Sequence, residues 1–305
     1  FERDRLNYLA YLQQLERQPL SRATLQALRK VMPDEHFARP LTGSRSEAES
    51  ASLDGLRDSF SKLLDHAPLV ASACGPVEVE KIADNISAFA ANTSRRGMPT
   101  TTPYTPPSKA LHPRENGEGN SDQFVTFISA SDNYKMTRAE FVTLCALFST
   151  GARSRLYTRL REKDGISYGH QDVASYEKKL LLIMGAVLPS RGEDTVKAVE
   201  EELSEMGRQI DEQALEGWKR EFLNGLLKSL DVPGQIAATL NARLAMDRNF
   251  DPPATIRRVC RISAKRIAKL AGQMRLFADY VASASSDSSD SASSSPSSAE
   301  AASDD

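Results

Sequence analysis

Ser154-Arg155-Leu156-Tyr157-Thr158-Arg159-Leu160-Arg161-Glu162-Lys163-Asp164-Gly165-Ile166-Ser167-Tyr168-Gly169 is the stretch from which the fold can be read outward. Leu156 and Leu160 recur at helical spacing with Tyr157 beside them, while residues 159–163 carry the charges. That pattern predicts an amphipathic helix with its apolar side inward. Asp164-Gly165 supplies the left-handed turn that ends it, a backbone conformation open to glycine because it lacks a Cβ. Residues 166–176 then read as a strand. Residues 179–188 read as a second, more apolar one, joined to the first through the charged turn Glu177-Lys178, so the sheet is antiparallel here. The junction of helix and hairpin holds an arginine, Arg161, and a tyrosine, Tyr168.

Toward the C-terminus, Val196, Val199, Leu203 and Met206 mark a surface helix over 194–206. Leu215, Trp218, Phe222 and Leu226 mark a longer and more deeply buried one over 211–230. After Val232-Pro233-Gly234 the helical pattern continues over 235–247 and 253–270, and 274–281 closes as a last strand. Toward the N-terminus, residues 123–131 form a strand around Phe124, Val125, Phe127 and Ile128, followed by a buried helix over 136–148 that Thr150-Gly151 ends. Residues 92–122 shift to Thr, Pro, Gly, Ser and Asn, and no core is placed there. Residues 68–74 read as a short apolar strand ending at Gly75. Pro76 then opens a helix whose buried face is Val79, Ile82, Ala83, Ile86 and Phe89. The chain begins with two amphipathic helices broken at Pro19, then a loop over 32–43 and a helix near 47–64. Strands and helices interleaved this way, around an antiparallel hairpin, predict an α+β fold: a mixed, largely antiparallel sheet with helices packed on one face.

Charges of both signs nearly cancel, with a formal net charge of -2, and 40% of the residues are hydrophobic. A nucleic-acid binder with a basic face is therefore excluded as a first reading. The last 24 residues, 282–305, are almost all Ser, Ala and Asp and read as a disordered tail, because they cannot bury enough apolar surface to offset ordering entropy. No window of about eighteen apolar residues is present, so no membrane span is expected. Cys74, Cys145 and Cys260 stand far apart without paired spacing and read as buried free thiols, which favours a reducing compartment but fixes none. The sequence opens at Phe1 inside a helical pattern, as a fragment or processed product would.

The order in the opening stretch (Arg-Leu, aromatic, Leu-Arg-Glu-Lys, Gly, apolar, small, Tyr) resembles the C-terminal, non-metal half-domain of the pitrilysin/insulinase-type zinc metallopeptidases. These carry the inverted zinc motif His-x-x-Glu-His. The strand-glycine-helix unit at 68–89 and Arg39-Pro40-Leu41-Thr42-Gly43 are looser matches to the same family. The resemblance implies a division of the chain into 1–91, the trailing part of a first half-domain; 92–122, a linker or insertion; 123–281, the substrate-binding half-domain; and the tail. It also implies that Arg161 and Tyr168, seven residues apart, act as an oxyanion-stabilising and substrate-anchoring pair. His170, two residues beyond, would be a further substrate contact. The pair is chemically apt, since a guanidinium and a phenol are donors that stay protonated at neutral pH. From the residues alone a second reading stands beside it: Arg161 as one of many exposed helix charges, Tyr168 as a packed strand residue, and His170 as a half-exposed strand histidine.

The histidines are His36, His66, His112 and His170, and no two have the three intervening residues that the family's zinc helix needs. This chain is expected to bind no metal. Zinc would belong to the complete assembly, held by a zinc-bearing half on the same polypeptide or on a homologous subunit, and the substrate would be an unstructured peptide. The reading is thus the substrate-binding, non-metal portion of a zinc metalloendopeptidase, not a self-sufficient enzyme. Two rivals are a catalytically inactive homologue serving as an assembly subunit and a stand-alone interaction domain with an acidic tail. Glu200-Glu201-Glu202 reads as a solvated helix face.

Overall fold

A computed structural model of the chain describes residues 1–35, 38–76, 78–91, 104–117, 119–130, 135–245 and 251–285. Its centre is β2 (Asp122–Ala130), every residue of which is buried, as its run of aromatic and β-branched side chains requires of a strand covered on both faces. Around it stand β1 (Arg114–Asn116), β3 (His170–Ser175), β4 (Leu180–Val187) and β5 (Met274–Ser283), in the order β1-β5-β2-β4-β3. β2 pairs antiparallel with both β4 and β5, β3 pairs antiparallel with β4, and β1 alone runs parallel to its neighbour, β5. The sheet is mixed and largely antiparallel, and the fold is α+β.

Before the sheet come α1 (Glu2–Arg17), α2 (Pro19–Val31), α3 (Arg45–Ser50), α4 (Leu53–His66) and α5 (Val79–Ala90). Between β2 and β3 lie α6 (Arg138–Phe148) and α7 (Arg155–Tyr157), the latter continued by a π-helical stretch, Thr158–Lys163. α8 (Gly192–Arg208), α9 (Glu212–Leu230), α10 (Pro233–Leu244), α11 (Pro252–Cys260) and α12 (Ala264–Ala271) separate β4 from β5.

The main core forms where Phe124, Ile128, Leu181, Ile183 and Val187 of the sheet meet Phe141, Leu144 and Phe148 of α6, Val199 and Leu203 of α8, and Ile267 and Leu270 of α12. α6 begins with a reciprocal cap: Glu140 N donates to Thr137 Oγ1 at 3.3 Å, and Thr137 N to Glu140 Oε2 at 2.7 Å. The same Glu140 accepts from Arg266 Nε at 2.7 Å, which ties α12 to the start of α6. α8 starts directly on the sheet because Gly192 has no side chain: a Cβ there would stand 2.5 Å from Val281 Cγ1. The Gly192 N–H donates to the buried Asp122 carboxylate at 2.9 Å, an anion placed at a helix N-terminus.

The opposite face is not bare. α2 lies on it through Ala23, Ala27 and Val31, against Val125, Phe127, Leu182, Met184, Phe277 and Tyr280. The two alanines on one helical face let α2 approach the strands closely. The Lys30 ammonium and the Tyr280 hydroxyl both reach the Glu115 carboxylate, which joins α2, β1 and β5. On the far side of β1, Arg114 pairs with the buried Asp279 at 2.6 Å, and His112 shares that carboxylate.

Several sequence expectations need correction. Residues 104–117 do carry core: Leu111 and Tyr104 pack on the second face, and Arg114–Asn116 joins the sheet, because β5 offers an open edge that the local composition does not reveal. Asp122, the linker's last residue, already opens β2, and residues 92–103 and 118 lie outside those described. The last strand runs on to Ser283, while 286–305 also lie outside the described residues, as does His36. Residues 68–74 join no ladder among the described residues. Only 170–175 of the strand expected over 166–176 are paired, because the chain from Ile166 to Gly169 crosses from the helix to the sheet edge. The helix near 47–64 is two helices, α3 and α4. The burial of α8 and α9 is reversed: α8 presses on the sheet with eight buried residues, whereas α9 buries Leu215 and Lys219. Among the described residues no helix is long and apolar enough to cross a membrane.

Candidate functional site

Arg161 sits in the π-helical stretch, and Tyr168 stands two residues before β3 begins. Leu156 and Leu160 anchor the helical segment in the main core, which leaves Arg161 on the outer side. The wide turn closes at Gly165, with φ +63°, where Ile166 N and Ser167 N both donate to the Leu160 carbonyl, at 2.9 and 3.3 Å. The chain thereby doubles back so that Arg161 Nη1 donates to the Tyr168 carbonyl at 2.7 Å. The guanidinium also lies over the Tyr157 ring, 5.5 Å from its centroid. Main chain and guanidinium are thus fixed together, while the Tyr168 side chain is 87% exposed. The packed-core reading of Tyr168 is overturned, since Ile166 takes the buried position and Tyr168 turns outward.

The backbone around Tyr168 is held by Ser167, whose buried hydroxyl donates toward the carbonyls of Gly169, at 2.8 Å, and Ala186, at 3.1 Å, and accepts from Gly169 N at 3.1 Å. Beneath the helical segment, Arg159 pairs with Asp164 at 2.8 Å and with Glu201 at 3.0 Å. Hydrogen bonding to Asp164 holds the Arg159 guanidinium above its ordinary pKa. Arg155 pairs with Glu202 at 3.0 Å. Glu202 is buried, so the solvated reading of the acidic run fails at this position: α8 turns Glu202 toward two arginines of the preceding helix.

His170 behaves differently from the other two. It is partly buried, and its Nε2 donates to the Ser149 carbonyl at 2.7 Å, at the end of α6. That bond assigns the proton to Nε2 and leaves Nδ1 buried without a hydrogen-bond partner among the described residues. Burial lowers the His170 pKa, against the opposing effects of the Ser149 carbonyl and Asp172, so the ring is neutral at physiological pH. Tyr168 and His170 therefore do not share a solvent face: the tyrosine is outward and the histidine is turned in. Ser149, Ser167 and Tyr157, which orient these groups, carry no signal in the sequence beyond their helical or small-residue character.

Residues 50–222, more than half of the sequence, match the family described as the peptidase M16 inactive domain. The chain belongs to that family. No protein of curated function matches the M16 chain. Its fold is similar to that of a conserved protein from Enterococcus faecalis V583, with TM-score 0.78, 16% identity, and coverage of 93% of this chain and 68% of that one. It is also similar to a peptidase M16 inactive domain from Pseudomonas fluorescens, with TM-score 0.74, 15% identity, and coverage of 93% and 70%. A third similarity is to the periplasmic protease PqqL from Escherichia coli, with TM-score 0.65 and 13% identity, where the M16 chain covers only 32% of the protease.

The resemblance implies zinc for the other half and not for the M16 chain. Among the described residues no three His, Cys, Asp or Glu side chains are grouped to hold a metal. His170 is committed to Ser149, and His112 to an aspartate already paired with Arg114.

Proposed function

We propose that this chain is the substrate-binding, non-metal portion of an M16 zinc metalloendopeptidase, in which Arg161 and Tyr168 face a zinc-bearing half across a closed chamber. The observation that carries this reading is the exposure of the Tyr168 side chain at a turn whose main chain is held by the Arg161 guanidinium. A guanidinium donor held in place before reaction needs little reorganisation when negative charge develops on a peptide carbonyl oxygen, and the exposed phenol would be the second donor. Neither must titrate, so the pair works across the neutral range. Among the described residues β3 is an edge strand, and such an edge suits the extended backbone of an unfolded peptide, so selection depends on size and charge more than on sequence. Zinc, held by the other half, would supply the hydrolytic water, and residues of this chain would orient and stabilise the substrate. His170, tied to Ser149, positions the start of β3.

Tyr168→Phe in the complete assembly tests this reading. Turnover of an unstructured peptide is expected to fall by about tenfold to a thousandfold through loss of one oxyanion donor, with the melting temperature unchanged. Unchanged turnover removes Tyr168 from the mechanism. An assembly that forms through this chain but hydrolyses no peptide, even with the wild-type tyrosine, would instead favour the inactive assembly subunit.

A further inference from the structure

Trp218 and Phe222 stand four residues apart on α9, so the helix sets their rings on one face, and the rings stack with centroids 5.2 Å apart and planes inclined at 27°. Trp218 packs on the edge of the main core, but neither ring is fully buried. Both line a cleft of about 740 Å³ whose other walls come from α6, α10, α11 and the turn between β3 and β4. Val142 of α6 lines it too and stays 37% exposed. Tyr176 closes the turn side, its ring fixed because the hydroxyl donates to the Met136 carbonyl at 2.9 Å. A concavity of about 300–1,000 Å³ with aromatic walls and few polar groups is the kind of space that small ligands occupy.

The polar groups of the cleft are mostly cationic. The guanidiniums of Arg138, Arg243 and Arg258 line it against one carboxylate, Asp251. That carboxylate is partly committed, since its Oδ1 accepts from Ala254 N at 2.8 Å as the cap of α11. Arg138 is held by Glu177 at 2.7 Å and lies over the Tyr176 ring, 5.9 Å from its centroid. Arg258 is exposed at the rim, and its guanidinium has no hydrogen-bond or ion-pair partner among the described residues. This balance of charge favours an anion and disfavours a cation, despite the aromatic walls. The stacked rings favour a flat apolar body, which leaves water to lie against them. We propose that the cleft binds a small aromatic anion of the aryl carboxylate class, with its rings against Trp218 and Phe222 and its carboxylate on Arg258. The cleft adjoins the Tyr176 end of β3, the far end from Tyr168, so this site needs neither the zinc-bearing half nor the Arg161 pair.

Trp218 is the only tryptophan in the sequence, so its emission reports on this cleft. The test uses the full 305-residue chain, with biphenylcarboxylate as the probe and acrylamide as a contact quencher of Trp218. The probe should shield Trp218 from the quencher along a saturating curve. The uncharged biphenylcarboxamide should bind at least about tenfold more weakly, because it forgoes a charge-assisted hydrogen bond. Arg258→Gln should weaken the carboxylate by a similar factor and leave the melting temperature unchanged, since the side chain is exposed and without a partner among the described residues. Phe222→Leu keeps the apolar character and removes the ring, and affinity should fall by about three- to tenfold. Absence of shielding at millimolar probe, equal binding of the carboxamide, or unchanged affinity in either variant would each overturn the proposal.

Discussion

Replacing Glu202 by glutamine isolates the contact that holds the Arg161 segment against α8. The carboxylate, with only 9% of its side chain exposed, accepts from Arg155 Nε at 3.0 Å and stands 3.6 Å from Arg159 Nη1. Glutamine keeps the volume, removes the charge and turns an amide donor toward a guanidinium. Breaking a fully buried ion pair costs about 3–5 kcal/mol, and breaking an exposed one about 0.2–1 kcal/mol. The arginines decide where this case falls: Arg155 and Arg159 are 33% and 28% exposed, so both recover water, and Arg159 keeps Asp164 and Glu201. A loss of about 1–2 kcal/mol follows, or about 2–8 °C in melting temperature for a unit of this size. Thermal denaturation followed by circular dichroism reads the loss. Hydrogen exchange over residues 158–168 should rise in the same variant, because that segment is what α8 holds. Glu201→Gln is the control, since Glu201 is 44% exposed and only one of several partners of Arg159. A change of less than about 1 °C in Glu202→Gln, or an equal loss in the control, would refute the argument from burial.

His170 makes stability depend on pH with a definite sign. Its folded pKa is depressed by burial, so as pH falls below about 6.5 the unfolded chain takes the proton first. The stabilisation is complete above that value and is lost as pH falls toward the folded pKa. His170→Gln should flatten the decline in urea-unfolding stability between about pH 7 and pH 5, and parallel wild-type and variant curves would contradict the assignment. The cysteines should separate by reactivity: Cys260 is exposed, whereas Cys145 is buried and its thiol is pushed up by burial and by the Asp172 charge. Iodoacetamide with peptide mapping should label Cys260 in the native chain and Cys145 only on unfolding. Native-state labelling of Cys145 would show that the α6 core opens.

Much of the site's scaffold was legible because it is local. Leu156 and Leu160 at helical spacing, the Gly165 turn and the apolar run of β4 specify helix, reversal and strand within about thirty residues, where backbone and burial preferences decide. The burial of α8 and α9 was not legible. Both carry apolar residues at helical spacing, and which one touches the sheet depends on Gly192 fitting over Val281, a contact between residues far apart in sequence. β1 was missed for a similar reason: Arg114-Glu115-Asn116 has no strand character of its own and is recruited by the free edge of β5 and by Asp279.

The sequence by itself determined the α+β class, the β3–β4 hairpin, the family resemblance and the presence of Arg161 and Tyr168 at one junction, because neighbours along the chain settle each of these. Only the tertiary structure decided that Tyr168 faces water while His170 turns inward, that Glu202 is buried, and that Arg114–Asn116 pairs with β5. These depend on which surfaces remain for each residue once distant elements have packed, and a linear pattern does not carry that information.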